Sequence, residues 1–299
     1  MRRTAVEEYL RRLVPCSIVA RLTLEQMQQA GLHSGRVTGD GREFVEYAPY
    51  VPGDDVRSID WRLFGRSDRL FCRHARVEQR LGIILWLDAS ASMDYAGAGA
   101  PCSKFRFGAM LALVLALLAS RNGERISLAL DGGSENCTWL PNCTVGELGE
   151  RLDECMPGGQ CRTPELTGVL GGFMRSGTVL FLISDCLNEQ PFLPEFLSAV
   201  AGRGGECRIL QVVDNDELTL PFDSGEAAFA DPESGETVYA DPARVRAQYC
   251  ARMERRLAEI HAQCLGRRVF HRIFNTGEDP VAGLLEAVNC RTSQGAYLP

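Results

Sequence analysis

The sequence is poor in the residues that most enzyme motifs require. It holds one lysine, Lys104, and four histidines, His33, His74, His261 and His271, among 299 residues. No Gly-x-Gly-x-x-Gly opens a helix after a strand pattern, and no lysine-bearing phosphate loop is present, which argues against a nucleotide-binding fold. The absence of a Gly-x-Ser-x-Gly elbow argues against a serine hydrolase. None of the 12 cysteines forms Cys-x-x-Cys, and the histidines do not cluster with them, so a zinc site is not expected. No apolar run approaches the ~18 residues of a membrane-spanning helix. The longest, Met110 to Ala119, is short enough to read as a buried helix. Met1-Arg2-Arg3-Thr4 leads into a mixed charged segment without an apolar stretch, so no signal peptide is expected. The expectation is a cytoplasmic protein with no membrane span, whose reduced thiols fill core space. Cys186, beside Asp185, is a candidate reactive thiol, although the sequence supplies no activating base.

What is present suits a globular chain. A composition 45% hydrophobic and 24% charged, at this length, can bury a large core and excludes disorder. The net charge of −7 is unevenly placed: residues 1–87 hold 14 Arg against 11 Asp and Glu, whereas residues 88–299 hold 18 Lys and Arg against 28 acids. Such a split suits two mutually attracting modules, or a basic flank that meets an acidic partner. Nucleic acid is not the expected partner. The basic stretch Arg57, Arg62, Arg66, Arg69, Arg73, Arg76 and Arg80 is interrupted by Asp60, Asp68 and Glu78.

Apolar spacing predicts helices over residues 5–14 and 17–30, then glycine breaks at Gly31, Gly35, Gly39 and Gly41. Short strands are expected at 44–47 and 70–77. From Leu81 the character changes. Ile83-Ile84-Leu85-Trp86-Leu87 and Val179-Leu180-Phe181-Leu182-Ile183 are continuous apolar runs, the mark of strands covered on both faces. Further strands are expected at 125–130, 135–140, 206–213 and 268–273. Helices are expected at 103–120, 145–154, 164–174, 192–201, 241–264 and 280–288. Alternating strands and helices imply an α/β fold: a doubly wound, mainly parallel six-stranded sheet over 81–299, with a smaller N-terminal α+β module over 1–80. An insertion at about 214–240, rich in acids and turn signals, reads as a β-hairpin or lid.

The sharpest motif is Asp88-Ala89-Ser90-Ala91-Ser92, which begins where the most apolar strand ends. Residues at i, i+2 and i+4 of an extended segment face one way, so one carboxylate and two hydroxyls converge. Hard oxygens of this kind suit Mg²⁺. Asp185 ends the second apolar strand. If the two strands are neighbours, Asp88 and Asp185 meet in the crevice and repel unless a cation lies between them. Thr163, after the turn Gly158-Gly159-Gln160, is a third candidate ligand or an ordinary helix cap; Thr167 is the substitute.

The arrangement resembles the metal-ion-dependent adhesion site of von Willebrand factor type A domains. Those domains hold one divalent ion with Asp-x-Ser-x-Ser, a later Thr and a later Asp. The segments Gly39 to Tyr47, Tyr50 to Trp61 (with Pro52-Gly53-Asp54-Asp55-Val56-Arg57-Ser58-Ile59-Asp60), Asp214 to Glu217 and Asp231 to Glu236, with the Tyr249-bearing helix, resemble the bacterial Domain of Unknown Function 58 family. The resemblance implies a von Willebrand factor A-like sheet and a divalent ion, Mg²⁺, Mn²⁺ or Ca²⁺, at Asp88, Ser90, Ser92, Thr163 and Asp185. It also implies a MoxR-type AAA+ ATPase, or that ATPase's client, as partner in assembly or maturation. Relatives commonly place Thr where this chain has Gln160, which leaves Thr163, Thr167 and water as alternatives for the third ligand.

Three functional readings follow. The first is a non-catalytic metal-dependent interaction module. The second is a Mg²⁺-dependent hydrolase with Asp88 as nucleophile, disfavoured because Ser90 stands where a second acid is required and no lysine follows Lys104. The third is a structural scaffold with an empty site. Two features lie outside these readings. Trp61, with Arg57 and its neighbouring acids, reads as a packed joint between modules rather than a binding surface, so its truncation would cost about 3–5 kcal/mol. Lys104 has no role that the sequence supports.

Overall fold

A computed structural model describes residues 36–39, 43–51, 56, 59–78, 82–132, 138–161, 174, 177–187, 192–200 and 204–289. The helices expected at 5–14, 17–30 and 164–174, together with Thr163 and Thr167, lie outside these apart from Met174. The chain divides into two compact units, a small one within His33–Leu81 and a large one from Gly82 onward.

The small unit is an antiparallel sheet in the order β1-β3-β2, from β1 (Arg36–Gly39), β2 (Glu43–Pro49) and β3 (Phe71–Glu78). Strand β1 falls in a glycine-broken segment where none was expected. Its Val37 and Thr38 pair with Val77 and Arg76, so cross-strand pairing overrides a weak local pattern. A short helix, α1 (Trp61–Ser67), precedes β3. Asp60 caps it by accepting from the Arg62 and Leu63 amides. Trp61 opens this helix with its side chain 63% exposed, edge-on to Phe64 at 6.2 Å. Within the small unit the Trp61 side chain is therefore not packed: as the first residue of a capped helix it projects outward. Trp61→Ala is expected to cost under about 1 kcal/mol in urea melts, the range of surface substitutions.

The large unit is built on a six-stranded sheet in the order β11-β8-β7-β4-β5-β6. Its strands are β4 (Gly82–Ala89), β5 (Arg125–Gly132), β6 (Thr138–Leu140), β7 (Thr178–Ser184), β8 (Glu206–Val213) and β11 (Phe270–Asn275). All neighbours are parallel except β6, which runs antiparallel at one edge. Interleaved are α2 (Lys104–Arg121), α3 (Val145–Glu154), α4 (Phe192–Val200), α5 (Asn215–Thr219), α6 (Pro242–Gly266) and α7 (Val281–Asn289). The doubly wound architecture expected from the sequence is present. Chain order runs from β4 to β5 and β6 on one side, then from β7 to β8 and β11 on the other. Strand order therefore reverses between β4 and β7, where ligands bind in open α/β sheets.

Pleating sends alternate side chains to opposite faces. Ile84 and Trp86 join Leu180, Leu182, Phe196, Ile209, Ile260 and Cys264 in one buried cluster, with Trp86 edge-on to Phe196 at 5.0 Å. Leu87 and Ile183 face α2 instead. A Cβ on Gly108 would stand 2.8 Å from Leu87 and 3.0 Å from Ile183. Glycine there lets α2 lie tight against the carboxyl ends of the two central strands. The insertion is a separate two-stranded hairpin, β9 (Ala227–Ala230) and β10 (Thr237–Ala240), outside the main sheet.

Candidate functional site

Parallel pairing in register, Leu87 opposite Ile183, brings Asp88 and Asp185 to the carboxyl ends of adjacent strands. Both are fully buried. Asp88 Oδ1 accepts from the Ser90 amide at 2.9 Å, and its Oδ2 accepts from the Ser184 hydroxyl at 2.6 Å. The Ser90 and Ser92 hydroxyls lie 3.0 Å apart. A 3₁₀ turn over Ala91–Asp94 follows. The Gly158-Gly159 turn lies against this loop: Gly158 N donates to Ala89 O at 2.8 Å, and Ala91 N to Gly159 O at 3.0 Å. On the other side stands Gly132 at φ +103, where a Cβ would meet the Ser90 nitrogen at 2.7 Å. Only glycine fits there.

Burial, and secondly the neighbouring Asp185, push the Asp88 carboxyl up to about 7. Among the described residues Asp185 has a cationic partner and Asp88 has none. The buried Lys104, first residue of α2, places its ammonium 2.8 Å from Asp185 Oδ2 and 2.5 Å from Glu217 Oε1. Burial by itself would lower the lysine, yet Asp185 and Glu217 outweigh it and hold it charged above its ordinary range. Glu217 also accepts from the Asp214 amide, closing a capping box on α5. The Asp185 carbonyl accepts from Gln211 Nε2 at 2.7 Å, and Gln211 Oε1 meets His271 Nε2 at 2.9 Å. Asp214 and Asp216 tie the loop after the 3₁₀ turn to the start of the insertion through the Gly97 and Ala98 amides.

The structure thus brings together Asp88, Ser90, Ser92 and Asp185, while Thr163 lies outside the described residues. Three participants were missed from sequence: Lys104, Glu217 and Asp131. Lys104 is distant in sequence from both of its partners, and no local pattern marks it. Glu217 stands in an acidic segment noted only as part of the family resemblance. Asp131, buried on β5 in register with Asp88, accepts from Cys161 Sγ at 2.9 Å. Its signal was Asp131-Gly132 ending a strand, as Asp88 does. Cys186 is buried, and burial above all pushes its thiol well above the usual range, which disfavours the thiolate that reactivity requires.

A family model described as a protein of unknown function, DUF58, matches residues 46–259. The chain belongs to the DUF58 family. Uncharacterized proteins of Mycobacterium tuberculosis and Mycobacterium bovis are each 29% identical to it over 232 residues, covering 71% of this chain and 68% of the relative. Among solved structures it is similar to the conserved hypothetical protein BatB of Bacteroides thetaiotaomicron, at 14% identity and TM-score 0.44, covering 70% of this chain and 97% of that one. It is also similar to the SpRpn10 VWA domain, at 9% identity and TM-score 0.39, covering 73% and 100%. The central sheet of this DUF58 protein is six-stranded, doubly wound and mainly parallel. No helix among its described residues is long and apolar enough to cross a membrane.

Among the described residues no group of three His, Cys, Asp or Glu side chains is placed to hold a metal. The candidate centre is instead two carboxylates and two hydroxyls, which suits a hard cation that keeps several waters. Asp88, Glu217 and Glu233 each feel the charge of Asp185. Among the described residues Lys104 is the cation bonded within this group. A second positive charge next to Asp88 fits that imbalance.

Proposed function

We propose that this DUF58 protein is a non-catalytic, metal-dependent protein-interaction module. Asp88, Ser90 and Ser92 would hold a divalent ion, Mg²⁺ first, with Asp185 acting directly or through water. The observation that carries this reading is the convergence of two buried acids and two hydroxyls at the strand-order switch, with Lys104 answering one acid and not the other. So few protein ligands leave a coordination position open to a partner's carboxylate. An acid on a dication in a partly desolvated cleft binds more strongly than an exposed salt bridge.

The family resemblance points to a MoxR-type AAA+ ATPase or its client as the partner, in assembly or maturation. A groove of about 600 Å³ beside the Asp185 loop, lined by Leu187, Tyr249, Met253, three arginines (Arg252, Arg255 and Arg256) and one acid, Glu259, which pairs with Arg256, supports an acidic partner through its net positive lining. The experiment is a pull-down of the ATPase by the full chain. Binding is expected with Mg²⁺, and should be lost with EDTA and with Ser90→Ala. Equal capture in all three conditions would remove the metal-dependent mechanism.

One observation favours a second reading, a scaffold that needs no metal. Lys104 already neutralises Asp185. Calorimetric titration separates the two, since a scaffold shows no saturable Mg²⁺ binding.

A further inference from the structure

Gln211 and His271 are polar side chains to which the function above gives no role. Gln211 is fully buried on β8, in a strand otherwise apolar from Ile209 to Val213. His271, half-buried, stands on the neighbouring β11 in register with Ile209. Ile209 packs with Ile260 and Cys264 of α6, so Gln211 and His271 share the face that α6 covers. His261, one residue after Ile260, completes the group.

Their contacts fix where each proton sits. The Asp185 carbonyl can only accept, so the Gln211 nitrogen faces it, at 2.7 Å. Gln211 Oε1 is thereby turned to His271 Nε2, at 2.9 Å, and an amide oxygen can only accept. His271 therefore carries its proton on Nε2. Burial, and secondly the His261 ring, lower His271 to about 4, so near neutral pH its Nδ1 holds a lone pair. His261 Nδ1 lies 3.1 Å from that lone pair and must donate to it. The result is a chain whose donors all point one way: His261 to His271, His271 to Gln211, and Gln211 to the Asp185 carbonyl.

The chain ends at the turn that places the Asp185 carboxylate. Strand β7 stops at Ser184, and Cys186 turns the backbone at φ +54. A residue other than glycine keeps that left-handed conformation only where its surroundings fix it. Two of the fixing bonds are local, from Cys186 N to Ser184 Oγ at 3.0 Å and from Leu187 N to Asp185 Oδ1 at 3.2 Å. The bond from Gln211 comes from another strand. We infer that Gln211 and His271 are positioning residues of the candidate site, with His261 anchoring their chain on α6. They hold the Asp185 carbonyl and, through the left-handed turn beside it, the placement of the Asp185 carboxylate. Their effect on Mg²⁺ binding rests on the metal-binding reading above; their effect on the turn stands without it.

The test compares the full chain with Gln211→Met, His271→Met and His271→Gln. Long-range proton–nitrogen correlation spectra of the parent should show His271 protonated on Nε2 and His261 on Nδ1. Methionine keeps much of the volume but donates nothing. Amide exchange at Cys186 and Leu187 should therefore quicken by about tenfold in both methionine variants, while Leu210 and Val212 on β8 keep the parent rate. Mg²⁺ affinity by calorimetry should fall by about 10–100-fold in the same two variants, the usual loss when a group that orients a ligand is removed. His271→Gln retains a nitrogen donor toward Gln211 and should restore most of both losses. A His271 proton on Nδ1, turn amides that exchange at the parent rate in the methionine variants, or quickening shared equally by Leu210 and Val212 would overturn the positioning role. Equal Mg²⁺ affinity in all four proteins would overturn it too and leave the functional reading standing. If the parent binds no Mg²⁺, the metal-binding reading falls, and the tautomers and turn amides still decide the chain.

Discussion

Asp88→Asn should make the metal-free protein more stable at pH 8 while removing its response to Mg²⁺. The folded environment raises the Asp88 carboxyl from 3.8 to about 7, through burial first and Asp185 second. A folded-state value above the unfolded one means that the folded protein binds the proton more tightly. The associated stability is present below about pH 4 and is lost as pH rises through 7. At pH 8 both states are ionised, and the folded protein carries the full cost, about 4 kcal/mol for a change of this size. Asparagine removes the charge. It also loses the Ser184 hydroxyl's donation to a carboxylate oxygen, which takes back roughly 1–2 kcal/mol. The net gain should be about 2–3 kcal/mol in urea melts at pH 8 with EDTA, shrinking as pH falls toward 4. Mg²⁺ should raise the midpoint of the parent and leave that of the variant unmoved. A variant less stable than the parent at pH 8 without metal would show that Asp88 is paid for by contacts within the fold, leaving no deficit for a cation to correct.

Lys104→Met should have the opposite sign and a larger size. Methionine fits the volume and apolar stem, so the cavity contribution is small. What is lost is the ammonium between Asp185 and Glu217. Removing one partner of a buried ion pair leaves an uncompensated buried charge and costs about 3–5 kcal/mol. Glu217 also closes the cap of α5, so the damage extends into the start of the insertion. Adding Asp185→Asn to Lys104→Met should recover part of the loss, because the stranded charge is then gone, and a double-mutant cycle measures how much. A loss below about 1 kcal/mol for the single variant would mean that the acids are neutralised in some other way.

Both predictions turn on residues that the sequence treats unequally. Asp88 was legible because three signals coincide: an apolar run covered on both faces, an acid at its end, and hydroxyls at i+2 and i+4. Those are local properties, set by chain periodicity and strand burial. The same reasoning located β7, and it predicted that Asp88 and Asp185 meet if the two strands are neighbours, as they are. The doubly wound class follows from the alternation of strand and helix patterns, which is likewise local. The α1 helix and β1 escaped because short elements in the small unit are held by a cap and by cross-strand pairing rather than by their own periodicity.

What only the tertiary structure decided is which charges share the cleft. Lys104 and Asp185 stand 81 positions apart, and Lys104 and Glu217 stand 113 apart. Glu217 reaches Lys104 from a short helix that follows β8. Composition reports a lysine and several acids, but their mutual energies depend on distance and burial, which no spacing rule encodes. Trp61 illustrates the same limit from the apolar side. A tryptophan after a turn suggests a packed joint, yet its exposure is set by the direction in which a capped helix begins. By itself, then, the sequence determined the sheet class and the Asp-x-Ser-x-Ser loop, because strand burial and pleat are written in local patterns, whereas the strand order that makes the switch point came from the tertiary structure. The tertiary structure decided the electrostatic partners of that loop, because long-range contacts form only when the chain is closed.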